Sequence, residues 1–201
     1  MFMRYTASKT DLTDPDITSS EWEKAETGEI SVNRWKEYSP APATCFKLLR
    51  GRNGISVMMH TEEKSLKAVC KTENGDVYKD SCMEFFFKPD VHDPRYLNFE
   101  FNPNGILSLG IRATRKNKEH IDVDRGIFNI VSIAKDGDWT LKFYIPDSFL
   151  LSYFKEISPV CKGNFYKCGD ETDHPHFGAW SEIETASPDF HVPDFFGTIV
   201  L

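Results

Sequence analysis

The 201-residue sequence has no long apolar run and no recognisable secretory leader. No apolar segment approaches the roughly 20 residues that a membrane-spanning helix requires. Residues 1–16, MFMRYTASKTDLTDPD, contain no apolar stretch like the centre of a signal peptide. We therefore expect no membrane insertion and favour a cytoplasmic location, with secretion as the alternative if a leader was trimmed.

Basic residues are scarce relative to acidic ones. The chain has 24 Lys and Arg against 31 Asp and Glu, which gives a formal net charge of −7. A surface of this sign repels nucleic-acid phosphates and the anionic headgroups of membranes. We therefore expect neither nucleic acid nor a membrane as a partner, whereas neutral glycans and cationic ligands remain open.

Cysteine pairing motifs are missing as well. The chain has five cysteines, an odd number without any CxxC spacing: Cys45, Cys70, Cys82, Cys161 and Cys168. Disulfide frameworks use paired cysteines in secreted chains. The sequence therefore predicts reduced, partly buried thiols, in agreement with a cytoplasmic location.

What the sequence has is a high aromatic content, 13% of residues, with a concentration in one central stretch. Three strands are predicted there: Cys82–Lys88 (CMEFFFK), Tyr96–Phe101 (YLNFEF) and residues 106–112. The NPNG sequence at 102–105 has strong turn chemistry. Period-two alternation directs one set of side chains to a core, namely Leu97, Phe99 and Phe101. The other face of this β-meander then carries Glu84, Asn98, Glu100 and Arg112.

Short strands are predicted along the rest of the chain. They cover residues 44–49, 55–61, 66–71, 128–133, 140–145, 163–168, 179–183 and 198–201. Pro146 followed by DSFLLSYF predicts one short helix. About ten short strands with almost no helical periodicity predict an all-β fold: a two-sheet antiparallel β-sandwich, jelly-roll-like, with at most one or two short helices. Residues 1–21 are interpreted as an N-terminal arm before one domain at residues 22–201.

Two blocks of sequence carry a family resemblance. DVYKDSCMEFFFKP with YLNFEFNPNG, and the closing FGAWSEIETASPDFHVPDFFGTIVL, resemble family 9 carbohydrate-binding modules, which are DOMON-like β-sandwiches. The resemblance runs from about Trp22 to the C-terminus. It implies non-catalytic binding of a saccharide, most often the terminal sugar of an oligo- or polysaccharide, in carbohydrate catabolism. It also implies a glycoside hydrolase as a partner.

The resemblance also implies a set of ligand-binding residues. Modules of this family hold a sugar between two aromatic rings and bind its hydroxyls with charged side chains. The two aromatic positions of the family correspond to Tyr78 and Phe190, and its site glutamate corresponds to Glu84. A position that is Arg in better-known members is Glu100 here. Neighbouring polar residues complete the predicted site: Asn98, Arg112 and His191.

Each of these residues has a structural alternative. Tyr78 could cap a sheet edge, and Glu84 could pair with Arg112 across the sheet. His191 could stabilise its own loop instead of binding a sugar hydroxyl. A Phe in the loop ASPDFHVPDFFG is expected to be exposed, which favours a binding role for Phe190.

Metal binding is a further possibility that the sequence raises. The CGDETDHPH segment at 168–176 has one thiol, acidic groups and two imidazoles, but matches no common zinc spacing. It is interpreted as a solvated loop. Because some members of the resembled family hold structural calcium, we consider Asp76, Asp80, Asp90 and Asp93 as its ligands here, although their spacing is irregular.

Two other functions remain open at this point. Glu84 and Glu100 could form the acid/base pair of a small glycoside-processing enzyme. Against this, the sequence predicts a flat polar face and contains no nucleophile elbow, phosphate loop or dinucleotide fingerprint. The second alternative is a protein-interaction β-sandwich whose sugar site has decayed.

Overall fold

The structure is a computed structural model that describes residues 3–201, which form fourteen strands. The strands are β1 (Arg4–Thr6), β2 (Ser8–Lys9), β3 (Gly28–Glu29), β4 (Thr44–Arg50), β5 (Gly54–Glu62), β6 (Cys82–Lys88), β7 (Tyr96–Phe101), β8 (Leu107–Arg112), β9 (Glu119–His120), β10 (Val131–Lys135), β11 (Asp138–Pro146), β12 (Val160–Cys168), β13 (Phe177–Ala179) and β14 (Gly197–Val200). One α-helix, α1 (Asp147–Tyr153), is accompanied by 3₁₀ turns at Ser20–Lys24, Val77–Lys79, Arg125–Phe128 and Pro193–Phe195. Within residues 3–201, no helix has the length and apolar character needed to cross a membrane.

The strands form two sheets that pack face to face. The larger sheet has the order β1-β14-β12-β6-β7-β8-β9, with β13 beside β12. The smaller has the order β10-β11-β5-β4-β2, with β3 beside β4. Most neighbours are antiparallel, and the parallel pairs are β1 with β14 and β2 with β4. The predicted all-β, two-sheet antiparallel sandwich with at most one or two short helices is confirmed.

Aromatic side chains from both sheets fill the space between them. Phe165 of the larger sheet stacks on Phe46 of the smaller one, with 3.6 Å between ring centroids. The residues predicted to face a core have no exposed surface and belong to this cluster: Leu97, Phe99 and Phe101. Burial of a large apolar side chain stabilises a fold by roughly 1.5–3 kcal/mol. The high aromatic content is therefore explained by this core.

The outer face of the larger sheet is partly covered as well. Phe86, Tyr96 and Tyr166 alternate with core residues along their strands and form a second apolar cluster there. Trp35 and Phe196, which lie outside the strands, pack onto the same cluster. Loop segments thus lie over part of this face, and the uncovered remainder becomes a cleft.

The described part of the predicted N-terminal arm, residues 3–21, pairs with both sheets. β1 pairs with β14 of the larger sheet, and β2 pairs with β4 of the smaller one. The Tyr5 hydroxyl donates to the Glu26 carbonyl oxygen (2.6 Å) and accepts from the Leu48 amide (3.0 Å). This buried ring therefore joins the arm to the sandwich.

The prediction of a strand at residues 66–71 is wrong. The amides of Val69 and Cys70 donate to the Asp80 carboxylate, at 2.9 and 2.8 Å from Oδ2, instead of to a neighbouring strand. A side chain that satisfies backbone donors in this way competes with a sheet ladder. The segment is consequently a loop.

Two other predicted strands are displaced. The strand expected at 179–183 lies at β13 instead, and the Ser181 amide that follows donates to Asn164 Oδ1 (2.8 Å). The strand expected at 128–133 begins later, because the preceding 3₁₀ turn ends at Asn129 with a left-handed φ of 44°. Asn tolerates this conformation better than most residues.

The predicted NPNG turn and the predicted helix are in place. Gly105 in the NPNG turn has φ of 74°, and the turn between β10 and β11 has φ of 53° at Asp136 and 92° at Gly137. Successive positive φ values match the twist of a tight hairpin. Pro146 caps the start of α1, as its sequence context predicts.

Candidate functional site

A cleft of about 320 Å³ opens on the outer face of the larger sheet. Outward-facing side chains of the sheet form its floor, and loops on either side form its rim. Six of the predicted ligand-binding residues line it: Tyr78, Glu84, Glu100, Arg112, Phe190 and His191. The fold therefore brings four residues of the central strands and turns together with two residues of the C-terminal loop. Asn98, the seventh predicted residue, lies outside the lining.

The polar floor is a consequence of strand alternation. Glu84 of β6 faces Glu100 of β7, and Tyr166 and Ser108 continue the row on β12 and β8. Their neighbours along each strand enter the core, so the pattern that builds the core also places polar groups on the other face. The predicted flat polar face is wrong, because loops rise around it and make it the bottom of a cleft.

The two carboxyl groups on the floor are buried. Burial, followed by the negative charge of Glu100, raises the pKa of Glu84 to about 8. Burial also raises the pKa of Glu100, while Lys118 and Arg112 act in the opposite direction. Two neighbouring buried carboxyl groups resist ionising together. At neutral pH the pair therefore retains a proton, which we assign to Glu84.

Asn98 lies beneath the cleft and connects two charged residues. Its Nδ2 donates to Glu100 Oε1 (2.6 Å), and its Oδ1 accepts from Arg112 Nε (3.0 Å). Asn98 is fully buried, so its position suits orientation of these neighbours more than direct ligand contact. Within the described chain, Arg112 forms no ion pair with Glu84 and instead donates to Asn98 and the Arg115 carbonyl oxygen.

The aromatic residues of the cleft differ in exposure. Tyr78 is 37% exposed, whereas Phe190 is only 8% exposed. Phe190 stacks on Tyr166 with 4.1 Å between ring centroids, and its carbonyl oxygen accepts from the Tyr166 hydroxyl (3.2 Å). The expectation of an exposed loop Phe is wrong, because the loop folds back onto the second apolar cluster. Tyr78 is therefore the more accessible stacking surface.

His191 is held between the cleft and the second apolar cluster. Its ring stacks on Phe86 at 4.8 Å, and its Nδ1 shares a hydrogen bond with the Tyr96 hydroxyl (3.0 Å). Burial, with the nearby positive charges of Arg112 and Arg115, lowers the pKa of His191 well below its usual value. The ring is therefore neutral, and these contacts stabilise its loop.

Sequence reasoning missed several lining residues: Arg115, Lys118, Cys168, Asp170 and Asp189. Arg115 Nη1 lies 2.8 Å from Asp189 Oδ1 and joins two loops across the rim. Lys118 Nζ donates to Ser108 Oγ on the floor (3.2 Å). The signal available in the sequence is the run of basic residues between Arg112 and Lys118.

The CGDETDHPH segment is not a solvated loop throughout, so that prediction is wrong. The Cys168 thiol donates to Glu84 Oε1 on the cleft floor (3.0 Å). His176 is 2% exposed and its Nε2 lies 3.0 Å from Lys167 Nζ, which also pairs with Glu63 Oε2 at 2.8 Å. The segment is thus anchored by buried polar contacts.

The four aspartates considered as calcium ligands do not fit one ion. Asp80 Oδ2 already accepts from Val69, Cys70 and Asn102. Asp93 pairs with Arg95 at 2.7 Å. In residues 3–201, the groups of three side chains whose ligand atoms lie close together are others: Cys82, Glu84 and Cys168, and also His60, Glu62 and Asp138.

Comparison with known proteins agrees with this geometry. The profile of carbohydrate-binding family 9 matches residues 17–201. A crystal structure of a candidate carbohydrate-binding protein from Bacteroides uniformis has 30% identity and a TM-score of 0.86, covering 100% of this chain and 99% of that one.

Structures of a family 9 carbohydrate-binding module from Caldicellulosiruptor kristjanssonii share the fold. The complex with cellotriose has 14% identity and a TM-score of 0.67, covering 98% of this chain and 93% of that one. The complex with glucose has 12% identity and a TM-score of 0.69, covering 98% and 95%. A search of curated proteins found no match.

Proposed function

Because the chain belongs to carbohydrate-binding family 9 and is a non-catalytic carbohydrate-binding module, we propose that its cleft binds the terminal ring of a neutral oligo- or polysaccharide. One observation supports this most strongly. A buried polar floor, formed by Glu84 and Glu100, lies in the same cleft as the exposed ring of Tyr78. A sugar needs both surfaces, because it presents apolar C–H faces and fixed hydroxyl groups.

The floor supplies complementary hydrogen-bonding groups. Glu100 is oriented by Asn98 and, as a carboxylate, accepts hydrogen bonds from sugar hydroxyls. A protonated Glu84 offers one donor and one acceptor. Arg112 adds guanidinium donors at the edge of the same floor. Hydroxyl groups that both donate and accept can be satisfied here without leaving a buried polar group unpaired.

The balance of charge in the cleft favours a neutral ligand. Three cationic side chains line it: Arg112, Arg115 and Lys118. Four carboxyl groups also line it, and Glu84 keeps its proton near neutral pH. The remaining charges nearly cancel, so the site has no large field that would select a uronic acid or an amino sugar.

The size of the cleft favours the end of a chain. A volume of about 320 Å³ lies at the lower end of the range for ligand pockets. Such a cleft suits one or two sugar rings and not a long internal segment. We propose that the module presents such ends to a partner glycoside hydrolase in carbohydrate catabolism.

Calorimetric titration tests the proposal. The purified chain is titrated with glucose, cellotriose and other neutral mono- and oligosaccharides, with and without Ca²⁺. We expect saturable binding to one site, with affinity reduced at least about 10-fold in Glu84→Ala and also reduced in Phe190→Ala. Asp138→Ala on the smaller sheet is the matched control and keeps its affinity.

The titration also separates the alternatives. Unchanged affinity in both site variants would overturn the assignment of the cleft. If no saccharide of the panel binds and a protein from the same cell binds tightly, the result would support the interaction-domain alternative. Hydrolysis by Glu84 and Glu100 is not proposed, because the two side chains lie side by side on one sheet face, whereas glycosidase carboxylates flank the scissile bond.

A further inference from the structure

Two buried thiols and a carboxyl group converge at the inner end of the cleft. Cys82 of β6 and Cys168 of β12 are direct partners in the strand register, and both are free. Glu84 follows two residues after Cys82 and shares its face of the sheet. The Cys168 thiol donates to Glu84 Oε1 at 3.0 Å. One ligand atom from each of the three residues lies within 4.8 Å of the others.

We propose that Cys82, Cys168 and Glu84 bind a zinc-class divalent cation at the floor of the cleft. Zinc is bound by thiolate and carboxylate ligands at about 2.0–2.3 Å, which places tetrahedral ligand atoms about 3.5 Å apart. The observed spacing reaches that arrangement through small side-chain adjustments. Two thiolates also favour zinc or cadmium over calcium and magnesium, which prefer oxygen ligands.

Asp170 supplies the fourth ligand in this proposal. It follows two residues after Cys168, and its carboxylate, which lies outside the three converging ligand atoms, reaches the ion by side-chain rotation. Asp170, Glu84 and Cys168 all line the open cleft, so an ion has a path to the site. Binding of the cation forms two metal–sulfur bonds and one metal–oxygen bond to Glu84, and the Cys82 thiol, the Cys168 thiol and the Glu84 carboxyl group each release one proton to solvent. No electron transfer takes place.

The arrangement differs from ordinary burial of cysteine in a core. Cys161 is equally buried, but it packs in the apolar core and its thiol donates to the carbonyl oxygens of Pro89 and Ser158. Cys82 and Cys168, in contrast, lie beside the ionisable side chain of Glu84, and Cys168 lines the cleft. A bound cation would occupy Glu84, so zinc and saccharide would compete. The cation site itself does not depend on the sugar-binding proposal.

Cadmium titration of the reduced, chelator-treated full chain tests the site, without any sugar present. Cd²⁺ bound to thiolates gives an ultraviolet charge-transfer band, which carboxylates and imidazoles do not give. The second group of candidate ligands therefore contributes no charge-transfer band, because it contains no thiol: His60, Glu62 and Asp138. We expect the band to saturate at one equivalent of Cd²⁺ and to be displaced by Zn²⁺.

Cysteine variants locate the band. Cys82→Ser and Cys168→Ser each weaken Cd²⁺ binding more than about 100-fold, and Cys161→Ser keeps the wild-type band. If the first two variants do not fold, the double variant of Cys45→Ser and Cys70→Ser shows whether the band comes from the proposed site. It removes the half-buried thiols and must keep the full band.

Three results would overturn the proposal. They are no thiolate band at stoichiometric Cd²⁺, a band that survives in folded Cys168→Ser, and a band lost with Cys45 and Cys70. Saccharide binding by the metal-free chain is measured separately. A failure to bind the cation therefore leaves the sugar-binding proposal standing, and a failure to bind saccharide leaves the cation site standing.

Discussion

Glu84 and Glu100 stand directly opposite each other on β6 and β7, with 3% and 4% of their surfaces exposed. Two buried carboxyl groups in register on adjacent strands repel each other when both are ionised. The sandwich tolerates them because Asn98, Arg112 and Cys168 supply hydrogen bonds and compensating charge. Such an arrangement costs stability, and a ligand with hydroxyl donors would relieve part of that cost.

The pH dependence of stability should therefore reflect Glu84. Its pKa rises from 4.5 to about 8 on folding. Its contribution is complete below pH 4.5 and is lost as the pH rises towards 8, because the folded state binds a proton that the unfolded state releases. Glu84→Gln removes this titration. We expect the free energy of unfolding of the wild type to fall, relative to Glu84→Gln, by roughly a few kcal/mol between about pH 5 and about pH 9.

Urea unfolding of both proteins across that range is the measurement. Because the groups other than Glu100 titrate alike in both, the difference isolates the pair formed by Glu84 and Glu100. Parallel stability curves would show that the carboxyl group ionises normally.

Tyr78 should contribute to affinity with little effect on folding. Its ring is 37% exposed at the rim, so truncation leaves the core intact. Tyr78→Ala should lower saccharide affinity by about 1–2 kcal/mol, or roughly 5- to 30-fold. Tyr78→Phe keeps the stacking surface and should bind like the wild type. Equal losses in the two variants would assign the effect to the hydroxyl group and not to stacking.

Phe190, unlike Tyr78, should also contribute strongly to the stability of the fold. Because it is buried against Tyr166, Phe190→Ala should lower the free energy of unfolding by about 3 kcal/mol. Phe190→Leu, which refills most of the space, should lose much less. Thermal unfolding checks both variants, and a fully stable Phe190→Ala would mean that the loop does not pack onto the sheet.

His176 should make the protein sensitive to mild acid. Lys167 Nζ lies 3.0 Å from His176 Nε2, and Nδ1 lies 2.8 Å from the His174 carbonyl oxygen. These partners select the neutral tautomer with the proton on Nδ1, since a lysine ammonium can only donate. Burial, then the charge of Lys167, lowers the pKa of His176 from 6.5 to about 4.

The sign of this effect follows from linkage. The folded-state pKa is depressed, so the stabilising contribution is present above pH 6.5 and is lost as the pH falls towards 4. We expect a loss on the order of 2 kcal/mol over this interval, and a smaller loss in His176→Gln. Chemical unfolding at several pH values checks this, and identical slopes in the two proteins would contradict it.

The floor of the cleft was predictable because it depends on local alternation. Once β6 and β7 are recognised, the two-residue period places Glu84 and Glu100 on one face, whatever the loops do. The buried set Leu97, Phe99 and Phe101 follows from the same rule. The sandwich was predictable for the same reason, since many short strands with turn signals have few other ways to bury their apolar faces.

The rim was not predictable, because it depends on contacts between distant parts of the chain. Arg115 meets Asp189, and Cys168 meets Glu84, through the paths of loops that no local pattern specifies. Phe190 looked like an exposed loop residue because the sequence does not show Tyr166 beneath it. The strand expected at 66–71 failed because the Asp80 side chain takes its backbone donors.

Amide chemical-shift mapping by NMR during titration with cellotriose tests whether the cleft is the sugar-binding site. We expect saturable shifts confined to the cleft, around Tyr78, Glu84, Glu100 and residues 189–191, with β5 and β11 of the smaller sheet unchanged. The measurement uses the unaltered chain, so no variant has to fold. Saturable shifts on the smaller sheet, or no shifts with any saccharide that binds by calorimetry, would contradict the assignment of the cleft as the sugar site.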